Sequence, residues 1–350
     1  MSKICVITDT HFGARSDHQA VTKNMLEFFQ NQFIPELKSR KIKKIVHCGD
    51  LFDKRKGLTT LSVTNFKPVL DLLKEFDIDW IIGNHDTYHV DHNNINSSIF
   101  LREYDNLRVF KNATTVKIDN LDICYIPWIT TENYDDTMNV IKNTKARIAF
   151  GHLEIKGFEF YTGSICKHGL DSKIFENFDS VYSGHFHKKS KSGQIAYLGS
   201  PYQTTWQEVY ETKGYHILDI ETLEMEFVPN RNNLFIEIRD KKELKTLDLT
   251  DKFVRIVVSE TEALEKEFKE FEENVSEKKP ASVTNKIVEK VELKEDFNID
   301  DETFDKMDIV NIGHEYIDSL VNFEYKEELK SVFGEIYKDA VNAQNKIDII

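Results

Sequence analysis

Five short clusters hold the side chains of this sequence that could do chemistry together: Asp9-Thr10-His11, Gly49-Asp50-Leu51-Phe52-Asp53, Gly83-Asn84-His85-Asp86, Gly151-His152 and Gly184-His185-Phe186-His187. Asp, Asn and several neutral imidazoles make a mixed oxygen and nitrogen donor set. Such a set suits Mn(II), Fe, Mg(II) or Zn(II) and is unlike a thiolate site. Seven such donors already exceed what one ion needs, and the clusters hold at least that many, which implies two ions sharing a bridging carboxylate. Two ions about 3.5–4 Å apart can clamp a phosphoryl group and generate hydroxide from bound water. A lone Asp-X-His is common and means little. What gives the set weight is that every cluster follows directly on a short apolar segment.

Those segments read as strands, at Lys3–Thr8, Lys44–Cys48 and Asp79–Gly83 for the first three clusters. Ala20–Lys41, with Met25, Phe28, Phe29, Phe33, Ile34 and Leu37, and Leu61–Phe76 carry helical periodicity between them. The β-α-β-α-β order predicts an α/β fold with a largely parallel inner sheet and helices outside. Ligands of open α/β sheets gather at the carboxyl ends of the strands, where the clusters fall. Further strands are expected at Val116–Ile118, Leu121–Ile126, Arg147–Gly151, Ser180–Ser183 and Gln194–Leu198, then a hairpin from Gly214–Asp219 and Glu224–Val228. The polar turn Pro229–Asn233 is read as the end of a catalytic domain over 1–230.

Strands at Leu234–Arg239 and Lys252–Ser259, a charged helix at Thr261–Val275 and a strand at Thr284–Leu293 predict a small α/β capping domain over 231–293. An acidic linker, 294–305, leads to a helical tail, 306–350. Ile309, Ile312, Tyr316, Leu320 and Phe323 form one apolar stripe, and Leu329, Val332, Phe333, Ile336, Tyr337 and Ala340 a second. Two such helices on a solvated tether suit docking into a partner's groove.

The length of 350 residues exceeds what one core usually organises, in keeping with a large domain plus a smaller one. The net charge of −14 is unevenly spread: Lys241–Ile350 holds 28 Asp and Glu against 17 Lys and Arg. The acidic end argues against tight non-specific nucleic-acid binding by this chain alone, while bound divalent ions would supply local positive charge. Cys5, Cys48, Cys124 and Cys166 show no CxxC pairing, and the first three sit in apolar runs, which points to a reducing compartment. No apolar stretch approaches a membrane span and the amino terminus shows no cleavage pattern, so a soluble cytoplasmic protein is expected. His47 and His216 fall within strands and are expected to be packed. His18, His89, His92 and His314 are expected to face solvent, and His168 to be structural.

The clusters resemble those of the calcineurin-like metallophosphoesterases, and within them the SbcD-type DNA repair nucleases, including the version carried by large tailed bacteriophages. Tyr125-Ile126-Pro127-Trp128-Ile129, Phe158-Glu159-Phe160-Tyr161 and Gly199-Ser200-Pro201-Tyr202-Gln203 extend the likeness. Protein phosphatases of that superfamily carry an Arg-Gly pair soon after the second cluster. Here Asp53 is followed by Lys54-Arg55-Lys56-Gly57. The resemblance implies a metallophosphoesterase core with central β-sheets flanked by helices. It places Asp9, His11 and His187 on one ion, Asn84, His152 and His185 on the other, and Asp50 between them. It puts His85 beside the scissile phosphate and makes Asp53 its orienting partner; Asp86 is left between that role and anchoring the loop. It further implies two divalent ions, foremost Mn(II) with Mg(II) as the alternative, and DNA as substrate. The expected assembly is a homodimer joined to an SMC-like coiled-coil ABC ATPase as a heterotetramer, acting in double-strand break repair, recombination and replication. The cytoplasm would be that of the host if the gene is a phage's. Lys54, Arg55, Lys56, Lys188, Lys189 and Lys191 follow the second and fifth clusters and are candidates for DNA phosphate contacts. Two rival readings are a phosphomonoesterase or cyclic-nucleotide phosphodiesterase on the same fold, and an inactive scaffold, which the complete donor set disfavours.

Overall fold

Ile4 and Val6 point to one side of the first strand and Cys5 and Ile7 to the other, and all four are buried. A strand buried on both faces needs a packed layer on each side. The computed structural model supplies both; it describes residues 3–101, 104–161, 163–259, 263–264, 266–288, 292–293, 314, 317–318, 320–321 and 325–334. In chain order the strands are β1 (Lys3–Ile7), β2 (Lys44–His47), β3 (Asp77–Ile81), β4 (Leu107–Phe110), β5 (Thr114–Ile118), β6 (Leu121–Ile126) and β7 (Ile148–His152). They continue with β8 (Glu159–Tyr161), β9 (Ser164–Ile165), β10 (Ser180–Gly184), β11 (Ser190–Ser192), β12 (Ile195–Tyr197), β13 (Gly214–Asp219) and β14 (Met225–Pro229).

Two six-stranded sheets result, ordered β14-β13-β1-β2-β3-β4 and β11-β12-β10-β7-β6-β5. Strands β1 to β4 are parallel, and β13 and β14 add antiparallel at one edge. In the second sheet β12, β10, β7 and β6 are parallel, with β11 and β5 antiparallel at the edges. One buried cluster joins the sheets face to face, through Ile4, Val6, Val46 and Ile81 of the first and Ile123, Tyr125, Ile148 and Phe150 of the second. The outer face of the first sheet carries Cys5, Ile7, Ile45, Ile78 and Trp80 against Phe28, Phe29, Phe33, Phe66, Val69 and Leu70. The outer face of the second carries Cys124, Ile126, Ala149 and Val181 against Ile141 and Phe175. The largely parallel inner sheet expected from the β-α-β order is one of a stacked pair between helical layers, the central sheets that the resemblance implied.

The helix Thr60–Leu73 shows the local logic. The Thr59 side chain caps it by accepting from the Ser62 backbone N–H at 2.9 Å, and Phe66, Val69, Leu70 and Leu73 form its buried stripe. The long periodic run after residue 19 is broken into Gln19–Glu27, a π-helical turn Phe28–Phe33 and Ile34–Ser39.

The chain divides into two compact units, one reaching to Ile256 and including Glu273–Thr284, the other comprising Val257–Glu272 and the remainder. The first unit runs on through the polar turn at 229–233. Leu234, Phe235 and Phe253 join the same buried cluster as the helices above, and Phe235–Ile238 runs parallel to Phe253–Ile256. The expected charged helix is found at Lys266–Glu277 and the following strand at Ser282–Val288. In the second unit Leu320–Val321 is a short strand paired with Glu292–Leu293, so Leu320 is not part of a helical stripe. Residues 326–334 are helical, and Leu329 and Val332 are exposed on that helix. The linker 294–305 and Ile309, Ile312, Tyr316, Phe323, Ile336, Tyr337 and Ala340 lie outside the described residues. No helix among the described residues is long and apolar enough to cross a membrane.

Candidate metal centre

Strands β1, β2 and β3 are neighbours in one sheet and β7 and β10 in the other, so the five clusters that follow them converge. The backbone turns abruptly at the donors: Asp9, His11, Asp50 and His185 all have positive φ, between 42° and 89°. Each such residue costs about 1–3 kcal/mol and persists only where its surroundings hold it. Here the loops brace one another, with the Asp9 N–H on the Gly49 carbonyl at 3.0 Å and the His11 N–H on the Asp50 carbonyl at 3.1 Å. Two glycines permit the close approach. A Cβ at Gly83 would stand 2.2 Å from Asp50 Oδ1, and one at Gly49 would stand 2.3 Å from His152 Nδ1.

Two donor sets form. In the first, Asp9, His11 and His187 converge, with His11 Nε2 3.0 Å from His187 Nε2 and 3.9 Å from Asp9 Oδ1. In the second, Asn84 Oδ1 lies 2.8 Å from His152 Nε2 and 2.9 Å from His185 Nδ1. Asp50 Oδ2 stands between the sets, 3.7 Å from His11 Nε2 and 3.3 Å from His152 Nε2. The electrostatics suit cations. Burial holds His11 well below the ordinary histidine range and brings His185 down to about 3, so both present neutral nitrogen lone pairs, whereas for His152 burial is outweighed by Asp50 and Asp9, which push it up to about 9, and for His187 by Glu208 and Asp9, which raise it. Burial would raise the Asp50 carboxyl, but His152 beside it, together with His11 and His85, more than reverses this and keeps it ionised. These oxygen and nitrogen donors fit a pair of divalent ions.

His85 Nδ1 lies 2.5 Å from the main-chain carbonyl of Asp53, so the contact orienting His85 does not use the Asp53 carboxylate. That carboxylate instead lies 3.5 Å from His11 Nδ1. Asp86 anchors the loop: it accepts from the backbone N–H groups of Gly83, Asp50 and Leu51 at 2.8–3.0 Å. Burial and the Asp50 charge push its carboxyl up to about 7.

Glu208 was not singled out from the sequence. It sits fully buried in the short turn Trp206–Glu208, with Oε1 3.3 Å from His187 Nδ1 and 2.9 Å from Lys213 Nζ. Lys213 also donates to the His187 carbonyl at 2.8 Å. The only local signal was the capping box from Thr205 to Glu208. The Gly199–Gln203 run is a buttress, since the Tyr202 hydroxyl donates to the Thr10 carbonyl at 2.5 Å.

Of the six candidate phosphate contacts, Lys54, Lys56 and Lys191 are exposed. Arg55 Nε donates to the Asn84 carbonyl at 2.8 Å and so braces a donor loop. Lys188 pairs with Glu159, and Lys189 Nζ lies 3.3 Å from the Phe227 ring centre. These engagements reduce their freedom to reach a strand. A cavity of about 420 Å³ opens beside His152 and Leu153, walled by Trp128, Tyr134, Glu154 and Leu170. The Trp128 ring lies 5.0 Å from that of His185. His47 and His216 are buried as expected, whereas His89, Asp91 and His92 form a further group of facing donors.

Paired sheets carrying these donors at their strand ends define a metallophosphoesterase. The chain matches the calcineurin-like phosphoesterase family over residues 2–189 and belongs to it. It is 28% identical over 346 residues to Exonuclease subunit 1 of Enterobacteria phage T4, covering 97% of this chain and 99% of that one. It is 24% identical to an SbcCD nuclease subunit of Staphylococcus saprophyticus, over 70% of this chain and 71% of that one. The DNA double-strand break repair protein Mre11 of Methanosarcina acetivorans is 25% identical, over 67% of this chain and 40% of that protein.

Proposed function

We propose that this phosphoesterase is a DNA nuclease, the hydrolytic subunit of a complex serving double-strand break repair, recombination and replication. The observation that carries the reading is Asp50 Oδ2 standing between two complete donor sets. Asp9, His11 and His187 would hold one divalent ion, Asn84, His152 and His185 the other, and Asp50 would serve both, with Mn(II) favoured over Mg(II). Two such ions supply charge to clamp a phosphodiester and activate water at neutral pH. His85 donates its Nδ1 proton to the Asp53 carbonyl, which leaves Nε2 for the substrate. A proton carried there passes to the departing sugar oxygen as the phosphorus–oxygen bond breaks. Lys54, Lys56 and Lys191 position the strand through its phosphates. The aromatic wall of Trp128 and Tyr134 beside His152 offers a face on which a base can stack.

The relatives named as nuclease subunits support a subunit role, with a homodimer of this chain joined to an SMC-like ABC ATPase in the cytoplasm, the host's if phage-borne. The exposed Leu329 and Val332 support docking through the tail. End-labelled single- and double-stranded DNA incubated with the chain tests the activity. Cleavage should require Mn(II), stop with a chelator and collapse in Asp50→Asn. Wild-type cleavage by Asp50→Asn at saturating Mn(II) would refute the two-ion reading. Leu329→Glu with Val332→Glu should abolish co-purification with the ATPase and leave metal binding intact. Undiminished co-purification would place the docking surface elsewhere.

A further inference from the structure

We infer that His89, Asp91 and His92 form a separate site for a borderline transition-metal ion such as Zn(II), independent of the catalytic pair. Each offers one donor atom, and the three lie within 4.8 Å of one another. The two imidazole rings lie with centroids 4.3 Å apart and planes tilted by 40°. His92 Nδ1 is enclosed and has no hydrogen-bond partner. A buried polar nitrogen left unpaired costs free energy, which a metal or a proton donor would relieve.

The turn that carries them is held in place before any ion arrives. The Tyr88 N–H donates to the Ile95 carbonyl at 2.9 Å, and Thr87 bridges Asn96. Asn93 is buried within the turn, and its side-chain amide donates to the Trp128 carbonyl at 2.9 Å and the Lys111 carbonyl at 3.3 Å. The Asp91 carbonyl accepts from the Glu132 N–H at 3.2 Å and the Thr131 hydroxyl at 3.3 Å. Binding therefore orders little beyond the three side chains, which keeps its entropic cost low.

The donor chemistry sets the selectivity. Two imidazoles and one carboxylate suit Zn(II), Co(II), Ni(II) or Cu(II), with water filling the open positions. Mg(II) prefers oxygen-rich sites and competes poorly. An ion here fixes the turn against the segment from Trp128 to Glu132. Trp128 and Thr131 line the cavity beside His152, so occupancy stiffens that wall.

Zn(II) uptake by the full chain tests the site, measured by equilibrium dialysis and metal analysis. His89→Ala with His92→Ala should bind one equivalent fewer than the wild type. Asp9→Ala with His187→Ala should keep that equivalent. His92→Gln alone should weaken it about tenfold or more, a loss typical of perturbing a metal site. The Zn(II)-dependent rise in melting temperature should shrink in the His89/His92 variant, with melting in chelator unchanged. Equal uptake by the wild type and the His89/His92 variant overturns the proposal. So does uptake at these residues only at Zn(II) levels that saturate free histidine.

Discussion

Replacing Glu208 by glutamine keeps the volume of a fully buried side chain and removes its charge. In the wild type its carboxylate accepts from the Thr204 and Thr205 N–H groups at 2.7 and 2.9 Å, and faces His187 Nδ1 and Lys213 Nζ. The amide oxygen of glutamine can still serve the backbone donors, but neither amide atom offers Lys213 or His187 a full negative charge. A hydrogen bond to a charged group contributes about 1.5–3 kcal/mol, so the unfolding free energy should fall by about that amount. Lys213 retains Glu211 at 2.6 Å, which limits the loss. Glu208→Ala would strip more from the buried cation and should cost about 3–5 kcal/mol. The effect on metal is the sharper readout. Losing the partner that orients a ligating histidine typically weakens binding about 10–100-fold. Because His187 is the one proposed metal ligand that Glu208 meets among the described residues, calorimetric Mn(II) titration of Glu208→Gln should show one ion weakened by that factor and the other unchanged. A uniform weakening of both ions, or unchanged affinities beside lowered stability, would show that Glu208 supports the fold and does not tune His187.

Three further outcomes follow from the same geometry. His85→Ala should bind both ions and lose about 10²–10⁴-fold in cleavage rate, since His85 is absent from the Asp9 and Asp50 donor groups and clusters instead with His11 and Asp53; calorimetry beside kinetics checks it, and loss of an ion refutes the assignment. Asp79 is fully buried and accepts from Lys44 at 2.7 Å and from Arg108 and the Tyr125 hydroxyl at 2.8 Å, so Asp79→Ala should lose about 3–5 kcal/mol in urea unfolding. Burial, then nearby Lys189, brings His216 from 6.5 down to about 3, so the native chain stays neutral where the unfolded chain takes up a proton. Its contribution is intact above about pH 6.5 and declines as pH falls toward 3, by about 1.4 kcal/mol per unit. His216→Gln should flatten the acid limb of stability by that slope, measured by urea midpoints in chelator.

The donors were legible because metal chemistry restricts residue type and the α/β fold restricts position. Asp9, Asp50, Asn84, His152 and His185 each lie within a few residues of a strand's end, a local pattern that a linear reading detects. The stacking of two sheets was less accessible. Ile4 and Val6 are as apolar as Cys5 and Ile7, and nothing in the alternation says that one face meets a second sheet and the other a helix. Strand β4 was missed because Leu107–Phe110 is only partly buried and carries Arg108 in its middle. That the first compact unit runs on past residue 230 was hidden for a related reason. Pro229–Asn233 has turn composition, but Leu234 and Phe235 continue into the main core, and Gln203 receives both of their N–H groups at 3.0 and 2.9 Å.

The supports of the centre were hidden because they act across long separations, often through the main chain. The Tyr202 hydroxyl reaches the Thr10 carbonyl across 192 residues. Asp53 was paired with His85 only through the family resemblance, and it meets His85 through a carbonyl that every residue type carries. Glu208 looks like any acidic residue in a short turn until the fold brings His187 and Lys213 to it. A donor must have the right side chain, whereas a supporting contact needs only a polar atom in the right place. Many sequences meet that second condition, and only the folded chain shows which residues do.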